Sequence, residues 1–367
     1  MENHIFIPEE GKTPVEILGA TGSVGQRIAE CIQRHPWFRI SALRASDKSA
    51  GKKYSQAVPW RRQSRLDNEI AEMIVQNCVP DGRAKVAFSG LDSSVAGEIE
   101  TEFARNGYIV VSNSKNHRMD RNVPLLIPEV NPNHLDAIGK QQFVSGKIVT
   151  NPNCSTIGIA LALKPLQDAF GIRVVDVTTL QAASGAGYPG NAAIDLIDNI
   201  IPRIDDEQEK IRIELKKILG AFRRGRFVNA KISVDAQCTR VPVSNGHTAC
   251  VKVALETRTS IQEVREAFES FVSPVAGLRL PSAPEKPLHF LEGDYHPQPR
   301  LHRDMENGMA VCVGQLQECE SMDYQFIAFF DNLMRGAAGA AILNAELMVR
   351  KGIIRIVKSK SRRVKKS

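Results

Sequence analysis

The 367-residue chain has no run of 18 apolar residues, so no stretch reads as a membrane-spanning helix. Its first ten residues lack the basic start and small-residue cleavage site of a secretion signal. It has no CxxC pair, and its seven cysteines (Cys31, Cys78, Cys154, Cys238, Cys250, Cys312, Cys319) are scattered and odd in number. That usage speaks against a disulfide framework or a compact zinc module, and sets the expectation of a reducing, cytoplasmic compartment without a metal. No internal repeat is apparent. Acidic residues are missing from the last ten positions, 358–367, which hold six basic side chains. Removing those six from the net charge of +7 leaves +1, so charge gives no reason to expect a nucleic-acid partner. The tail reads as a solvated, disordered end, or as a localisation signal or polyanion contact. An apolar share of 43% over this length suits two globular domains.

What is present is organised around Thr150–Thr156, TNPNCST. The apolar run 142–149 before it reads as a buried strand, and Ile157–Leu166 after it as a helix with an apolar face. Asn and Pro supply the turn, with Asn153 suited to cap the helix. Cys154 then lies at or near a first helical turn. There, unpaired backbone N–H groups and the positive dipole end favour a thiolate. The same N–H groups can receive the oxyanion formed when sulfur attacks a carbonyl. The bland alternative is a buried cysteine in a strand-to-helix turn.

Upstream, the strand Val15–Leu18 runs into Gly19–Gly25, GATGSVG, and then into a helical period over 26–33. Strand, glycine turn and helix together read as a dinucleotide site. Gly19 permits the tight turn, Gly22 lets a pyrophosphate approach, and Gly25 lets helix and strand pack closely. Thr21, Ser23 and Val24 fall in the same turn. The next strand, 38–45, ends in Ser46, Asp47, Lys48, Ser49 and Lys52 instead of a lone acidic residue. Hydroxyls and lysines suit the 2′-phosphate of NADP, whereas Asp47 would repel it if turned inward. Strands at 85–88 and 108–112, with a helix at 94–104 between them, extend an α/β, doubly wound parallel sheet. The loop Asn113–Arg118 follows at its carboxyl edge, where Lys115 or Arg118 could clamp an anion.

The second half changes character. A β-branched strand at 173–183 leads into Ser184, Gly185 and Gly187, and 207–219 is an amphipathic helix stopped by Gly220. The segments 231–238 and 248–255 alternate like antiparallel strands of one sheet. This α+β unit is expected to present a broad apolar sheet face, suited to a dimer. A small-residue helix at 340–349 is expected to return to the first domain. The predicted partition is 1–153 for nucleotide binding, completed by a helix near 336–357; 154–335 for catalysis and dimerisation; and 358–367 as tail. His247 is a candidate base for Cys154, Arg240 lies seven residues upstream, and Glu207 and Lys210 share a helix face. A metal site from Cys154, Cys238, Cys250 and His247 fits no compact zinc spacing.

Five motifs in order resemble the aspartate-semialdehyde dehydrogenase family: Gly19–Gly25, Asn151–Cys154, Gln181–Gly187, Arg240 with His247, and Arg335–Gly339. The resemblance runs from about Val15 to Met348 and is to the archaeal and fungal branch. It implies a Rossmann-type domain plus a mixed-sheet catalytic and dimerisation domain, in a homodimer or homotetramer. It implies NADPH as cofactor and L-4-aspartyl phosphate as substrate, reduced to aspartate semialdehyde in lysine, threonine, methionine and isoleucine synthesis. Cys154 would be the nucleophile, His247 the general acid/base and Gln181 the group orienting the acyl intermediate. Arg240 would grip the α-carboxylate and Glu207 the ammonium. Arg118 would bind phosphate with Lys210, Asn113 and Lys115, while Asn153 holds the turn. Gly185, Gly187 and Ser184 would line the nicotinamide, and Asn332 would bond its carboxamide.

Gln315 and Gln317 stand where arginines are expected near the cofactor, and Asp331 where a histidine is common. Cys238 and the pair Asp47 and Lys48 also depart from the usual pattern. The tail lies outside the resemblance. N-acetyl-glutamyl-phosphate reductase shares the cysteine and histidine but has no ammonium for Glu207 to meet. A catalytically silent NADP-binding homologue would have no reason to keep Cys154, Gln181, Arg240 and His247 together.

Overall fold

The computed structural model describes residues 11–62 and 64–355; the basic tail falls outside the described residues. Six parallel strands form the first sheet: β1 (Thr13–Leu18), β2 (Phe38–Ala45), β3 (Gln76–Asn77), β4 (Val86–Ser89), β5 (Ile109–Ser112) and β6 (Lys147–Thr150). Their spatial order is β3-β2-β1-β4-β5-β6, a doubly wound sheet whose order reverses beside β1. The central strands β1, β4 and β5 are short and almost wholly buried because both faces are covered. The glycine turn follows β1 and the cysteine turn follows β6, so both sit at the carboxyl edge.

The second sheet is mixed. It holds β7 (Ile172–Gln181), then, beyond the small hairpin β8 (Ala221–Arg223) and β9 (Arg226–Val228), β10 (Ser233–Arg240), β11 (His247–Leu255), β12 (Leu288–Phe290), β13 (Val311–Glu318) and β14 (Tyr324–Phe330). The order is β10-β7-β11-β14-β13-β12. The helix Cys154–Phe170 packs its apolar residues against one face of this sheet, in a core that includes Ile157, Leu161, Val251 and Phe330. The helix Gly339–Arg350 packs instead into the first sheet's core, where Ile342 and Leu347 join Val15 and Ile28.

Three expectations need correction. The predicted strand at 142–149 exists only from Lys147. A Cβ on Gly146 would lie 1.9 Å from the Ala104 carbonyl oxygen, so a close chain crossing occupies that stretch. The helix starts at Cys154 with Asn153 as its cap, as the turn residues suggest. The segments read as antiparallel strands of one sheet are β10 and β11, which run antiparallel with β7 between them, β10 parallel to it and β11 antiparallel. The outward face of the second sheet is polar, with Asp176, Lys252, Gln317 and Gln325 around Cys250, where an apolar face was expected. Gln315 and Gln317 line that same outward face, away from the glycine turn. Gln315 donates to the carbonyls of Gly293 and His296.

Candidate active site

The glycine turn has the close approaches its residues foretell. Gly19 has φ +74°, and a Cβ on Gly25 would sit 2.2 Å from the Gly19 carbonyl oxygen, so neither tolerates a side chain. Gly22 heads the helix Ser23–Ile32 with no side-chain cap, leaving first-turn N–H groups open for an anion. The Tyr54 hydroxyl donates to Ala20 O, and Gln26 Nε2 to Thr21 O, bracing the turn. Ser46, Asp47 and Lys48 are exposed just beyond β2, with Ser49 partly so. The hydroxyls and lysine there are open to a 2′-phosphate, with the Asp47 carboxylate exposed among them. Arg44, at the end of that strand, is buried against Glu16 and takes no part.

Asn153 caps the cysteine helix: its Oδ1 accepts from Ser155 N at 2.9 Å and Thr156 N at 3.2 Å. Its Nδ2 donates to both Glu207 oxygens at 3.0 Å. Cys154 thereby presents Sγ to a cavity of about 220 Å³, shared with Ser23, Asn113, Arg118, Ser184 and Asn332. Its floor is Gly336, where a Cβ would lie 2.9 Å from Cys154 Cβ. The sulfur lies 3.4 Å from His247 Nε2.

That histidine is fully buried, and its Nδ1 accepts from Ala182 N at 3.0 Å. A ring that accepts at Nδ1 and is neutral carries its proton on Nε2. Burial, and then the nearby Arg240, push His247 down to about 3, so the neutral ring is the resting form. At rest Nε2 is therefore a donor toward sulfur, not the proton acceptor expected of a base.

The thiolate expectation is also corrected. Burial, reinforced by the Glu207 carboxylate, pushes the Cys154 thiol up to about 12 against the pull of Arg118, Arg240 and Lys210. These contributions outweigh the helix dipole, whose worth is about 0.3–1 kcal/mol. The free enzyme holds thiol and imidazole, not an ion pair. Alkylation of Cys154 by iodoacetamide in the ligand-free enzyme should then climb roughly tenfold per pH unit between pH 7 and 9, without levelling. Peptide mass spectrometry follows the label, and a plateau below pH 8 would contradict the raised thiol.

Glu207, although buried, stays ionised. Burial works against its charge, but Lys210 at 2.9 Å, Asn153, and Gln181 Nε2 at 3.2 Å hold the carboxyl below its usual range. Arg240 Nη1 donates to Ala182 O at 2.9 Å and lies 3.4 Å from Gln181 Oε1. A Cβ on Gly185 would lie 2.6 Å from that nitrogen, so glycine makes room for the guanidinium.

Two predicted anion contacts stand differently from expectation. Lys115 pairs with exposed Asp206 at 2.9 Å and does not line the cavity. Arg118 does line it, but Nε donates to Asn151 O, Nη2 to Asn113 O and Nη1 to Glu214. Asn113 accepts from Asn151 Nδ2 and donates to Ser89 O. Asn332 Oδ1 accepts from Gly246 N at 2.9 Å and its Nδ2 donates to Ser184 Oγ, so it ties the His247 loop to the 184–187 segment. Asp331 accepts from Leu333 N and Met334 N, starting the π-helical turn Met334–Ala338. Gly187, with φ +74°, completes the cavity wall.

Sequence reasoning missed Glu214 and Lys217, both buried on the helix Glu207–Ile218. Lys217 Nζ donates to the carbonyls of Arg118, Asp120 and Val123, and burial pushes it down to about 8. Charges at 207, 210, 214 and 217 repeat with helical spacing, the one signal that could have marked them. Arg335, in the fifth motif, is fully buried and pairs with Glu129 at 2.7 Å. It braces the fold.

Family models agree with this arrangement. The one described as semialdehyde dehydrogenase, NAD binding domain, matches residues 14–138, and the one for its dimerisation domain matches 163–335. The aspartate-semialdehyde dehydrogenase of Cryptococcus neoformans is 44% identical over 356 residues, covering 93% of this chain and 98% of that protein. That of Archaeoglobus fulgidus is 45% identical over 347 residues, covering 93% and 99%. Among solved structures, the Candida albicans enzyme with NADP superposes with a TM-score of 0.86 at 40% identity, covering 94% of this chain and all of that one. A Vibrio cholerae aspartate-semialdehyde dehydrogenase II complexed with ASA has a TM-score of 0.75 at 27% identity, covering 93% and 99%.

Proposed function

The chain belongs to the aspartate-semialdehyde dehydrogenase family, and from that premise we propose that it reduces L-4-aspartyl phosphate to L-aspartate 4-semialdehyde through a Cys154 thioester. The observation that carries this reading is one cavity holding a capped cysteine 3.4 Å from a histidine, with Arg118, Glu207 and the glycine-turn residue Ser23 on its walls.

Cofactor residues fit NADP. Beside Gly22, the open N–H groups of Ser23 and Val24 would take the pyrophosphate, Ser46, Lys48 and Ser49 the 2′-phosphate, and Gly187, with open space on its Cβ side, leaves room for the nicotinamide. NADPH, when bound, supplies the hydride.

The protein's own groups divide the remaining work. Sγ attacks the acyl carbon, the bond from that carbon to the phosphate oxygen breaks, and the thiol proton leaves on phosphate. His247 Nε2–H hydrogen-bonds sulfur and then the oxyanion that develops at the former carbonyl, as does the first turn of the cysteine helix. Once a hydride has been added to the thioester carbon, collapse of the oxyanion left there frees the aldehyde and expels the thiolate, which regains a proton from solvent. Arg240 takes the α-carboxylate with its remaining N–H groups. Glu207 takes the α-ammonium and shares its carboxylate with Lys210. Gln181, bonded to Glu207 and near Arg240, keeps those two groups in register around the acyl chain. Arg118 directs its two uncommitted N–H groups at phosphate, with Lys210 and Asn113 nearby, while Lys115, paired with Asp206 off the cavity wall, takes no direct part.

In this reading residues 1–153, completed by the helix near 336–357, hold the cofactor, while 154–335 carry substrate chemistry and self-association as a homodimer or homotetramer. The polar outward face, where Asp176 pairs in register with Lys252, suits a two-fold contact in which each charge meets its opposite. The enzyme's place is cytoplasmic synthesis of lysine, threonine, methionine and isoleucine. No helix among the described residues is long and apolar enough to cross a membrane.

The test runs the reaction backwards. Purified protein with L-aspartate semialdehyde, phosphate and NADP⁺ should form reduced nicotinamide only when all three are present. Activity with N-acetylglutamate semialdehyde alone would reassign the substrate. Silence with both aldehydes, despite tight NADP binding, would refute the catalytic reading.

A further inference from the structure

Glu214 does not itself line the cavity, yet it holds two of the parts that surround the nucleophile. It is 2% exposed, two helical turns beyond Glu207 on the same face. Its Oε2 accepts from the backbone N–H of Asn153 at 2.7 Å, the residue just before Cys154. Its Oε1 accepts from Arg118 Nη1 at 2.9 Å. Glu207 meanwhile grips the Asn153 side chain. One helix thus holds the cap residue of the cysteine helix by main chain and side chain together.

On the other side, the Arg118 guanidinium has a separate acceptor at each nitrogen: Asn151 O for Nε, Asn113 O for Nη2 and Glu214 for Nη1. Three acceptors on three segments fix both the position and the plane of the group. An arginine has five N–H donors, so two remain for the cavity it lines. From the same helix, Lys217 binds the carbonyls of Arg118, Asp120 and Val123 and fastens the loop that carries the arginine.

We propose that Glu214 is a positioning residue: a single carboxylate that sets the Arg118 fork at a fixed place relative to the Cys154 turn, so phosphate is held where sulfur displaces it. The inference rests on the reading that Arg118 binds the phosphate. Without the carboxylate, Arg118 keeps its two carbonyls but loses the third point that orients it, and a buried cation is left unpaired.

Glu214→Gln keeps the size and an oxygen for Asn153 N–H, but removes the charge and turns an amide toward Arg118. In the reverse reaction on the full-length enzyme, its KM for phosphate should rise about tenfold, the scale of one lost charge-assisted hydrogen bond, while KM for NADP⁺ stays unchanged. Glu214→Asp, which keeps the charge but cannot span both partners, should show the same selective loss in milder form and covers the case in which the glutamine variant does not fold. Combining Glu214→Gln with Arg118→Ala should cost no more in phosphate KM than Arg118→Ala alone. Unchanged phosphate KM in the Glu214 variants, beside a raised value in Arg118→Ala, would overturn this inference alone. Loss of NADP⁺ and phosphate affinity in equal measure, with a lowered melting temperature, would make Glu214 merely structural and also overturn it. No effect of Arg118→Ala on phosphate KM would remove the phosphate role itself, and the inference with it.

Discussion

Cys154→Ser should lower turnover by at least about ten-thousand-fold while leaving NADP binding intact, because it removes the one atom able to carry the acyl group. Serine fits the space, and Asn153 still caps the helix, so the fold has no reason to change. The loss is chemical. A hydroxyl ionises far less readily than a thiol, and this site already pushes the thiol up to about 12 through burial and Glu207. Arg118, Arg240 and Lys210 offset only part of that, and the nearest ring, His247, offers a proton and accepts none. A single-turnover experiment with aspartyl phosphate and bound NADPH checks the chemistry, and quenching of protein fluorescence by NADP checks the binding. A serine variant within a hundredfold of the native rate would remove Cys154 as nucleophile. Loss of NADP binding would instead mean that the cysteine turn shapes the cofactor site.

The glycine and cysteine turns could be read in the sequence because each depends on its own few residues. Gly19 needs a positive φ, Gly25 leaves no space for a Cβ, and Asn153 caps a helix two residues ahead of itself. A parallel doubly wound sheet likewise follows from short apolar strands alternating with helices. What stayed hidden is decided by residues far apart in the chain. Glu214, two turns beyond Glu207 on its helix, has no visible role until Asn153, 61 positions before it, is folded against it. Lys115 and Arg118 are equivalent in a sequence, but one reaches exposed Asp206 and the other is buried under three acceptors. The apolar stretch at 142–149 promised a longer strand, but Gly146 is spent on a close crossing with Ala104. The ionisation of Cys154 is the sharpest case. Local reasoning sees a helix N-terminus, while burial by both domains' residues, and then a carboxylate from position 207, raise the thiol.

His247→Ala should cost about a thousandfold or more in turnover, and His247→Gln about tenfold less than that, because the histidine acts through a hydrogen it offers. Ala182 N–H points at Nδ1, so the neutral ring must keep its proton on Nε2, facing sulfur. Charging the ring would set a proton on Nδ1 against that N–H, inside a fully buried site beside Arg240; these are the conditions that push it down to about 3. A glutamine amide can place an N–H near the position of Nε2 but cannot act as a base near neutral pH. The two variants therefore separate donor from base. Equal losses in both would show that proton abstraction is essential and that the Ala182 contact gives way during the reaction. The pH profile supplies an independent sign. A group whose pKa has dropped to about 3 stays neutral through the working range, so kcat/KM of the native enzyme should show no acidic limb near pH 6.5 that disappears in His247→Gln. Such a limb would mean that the ring titrates as an ordinary histidine once substrate and cofactor are in place, and that its proton moves to and from the sulfur.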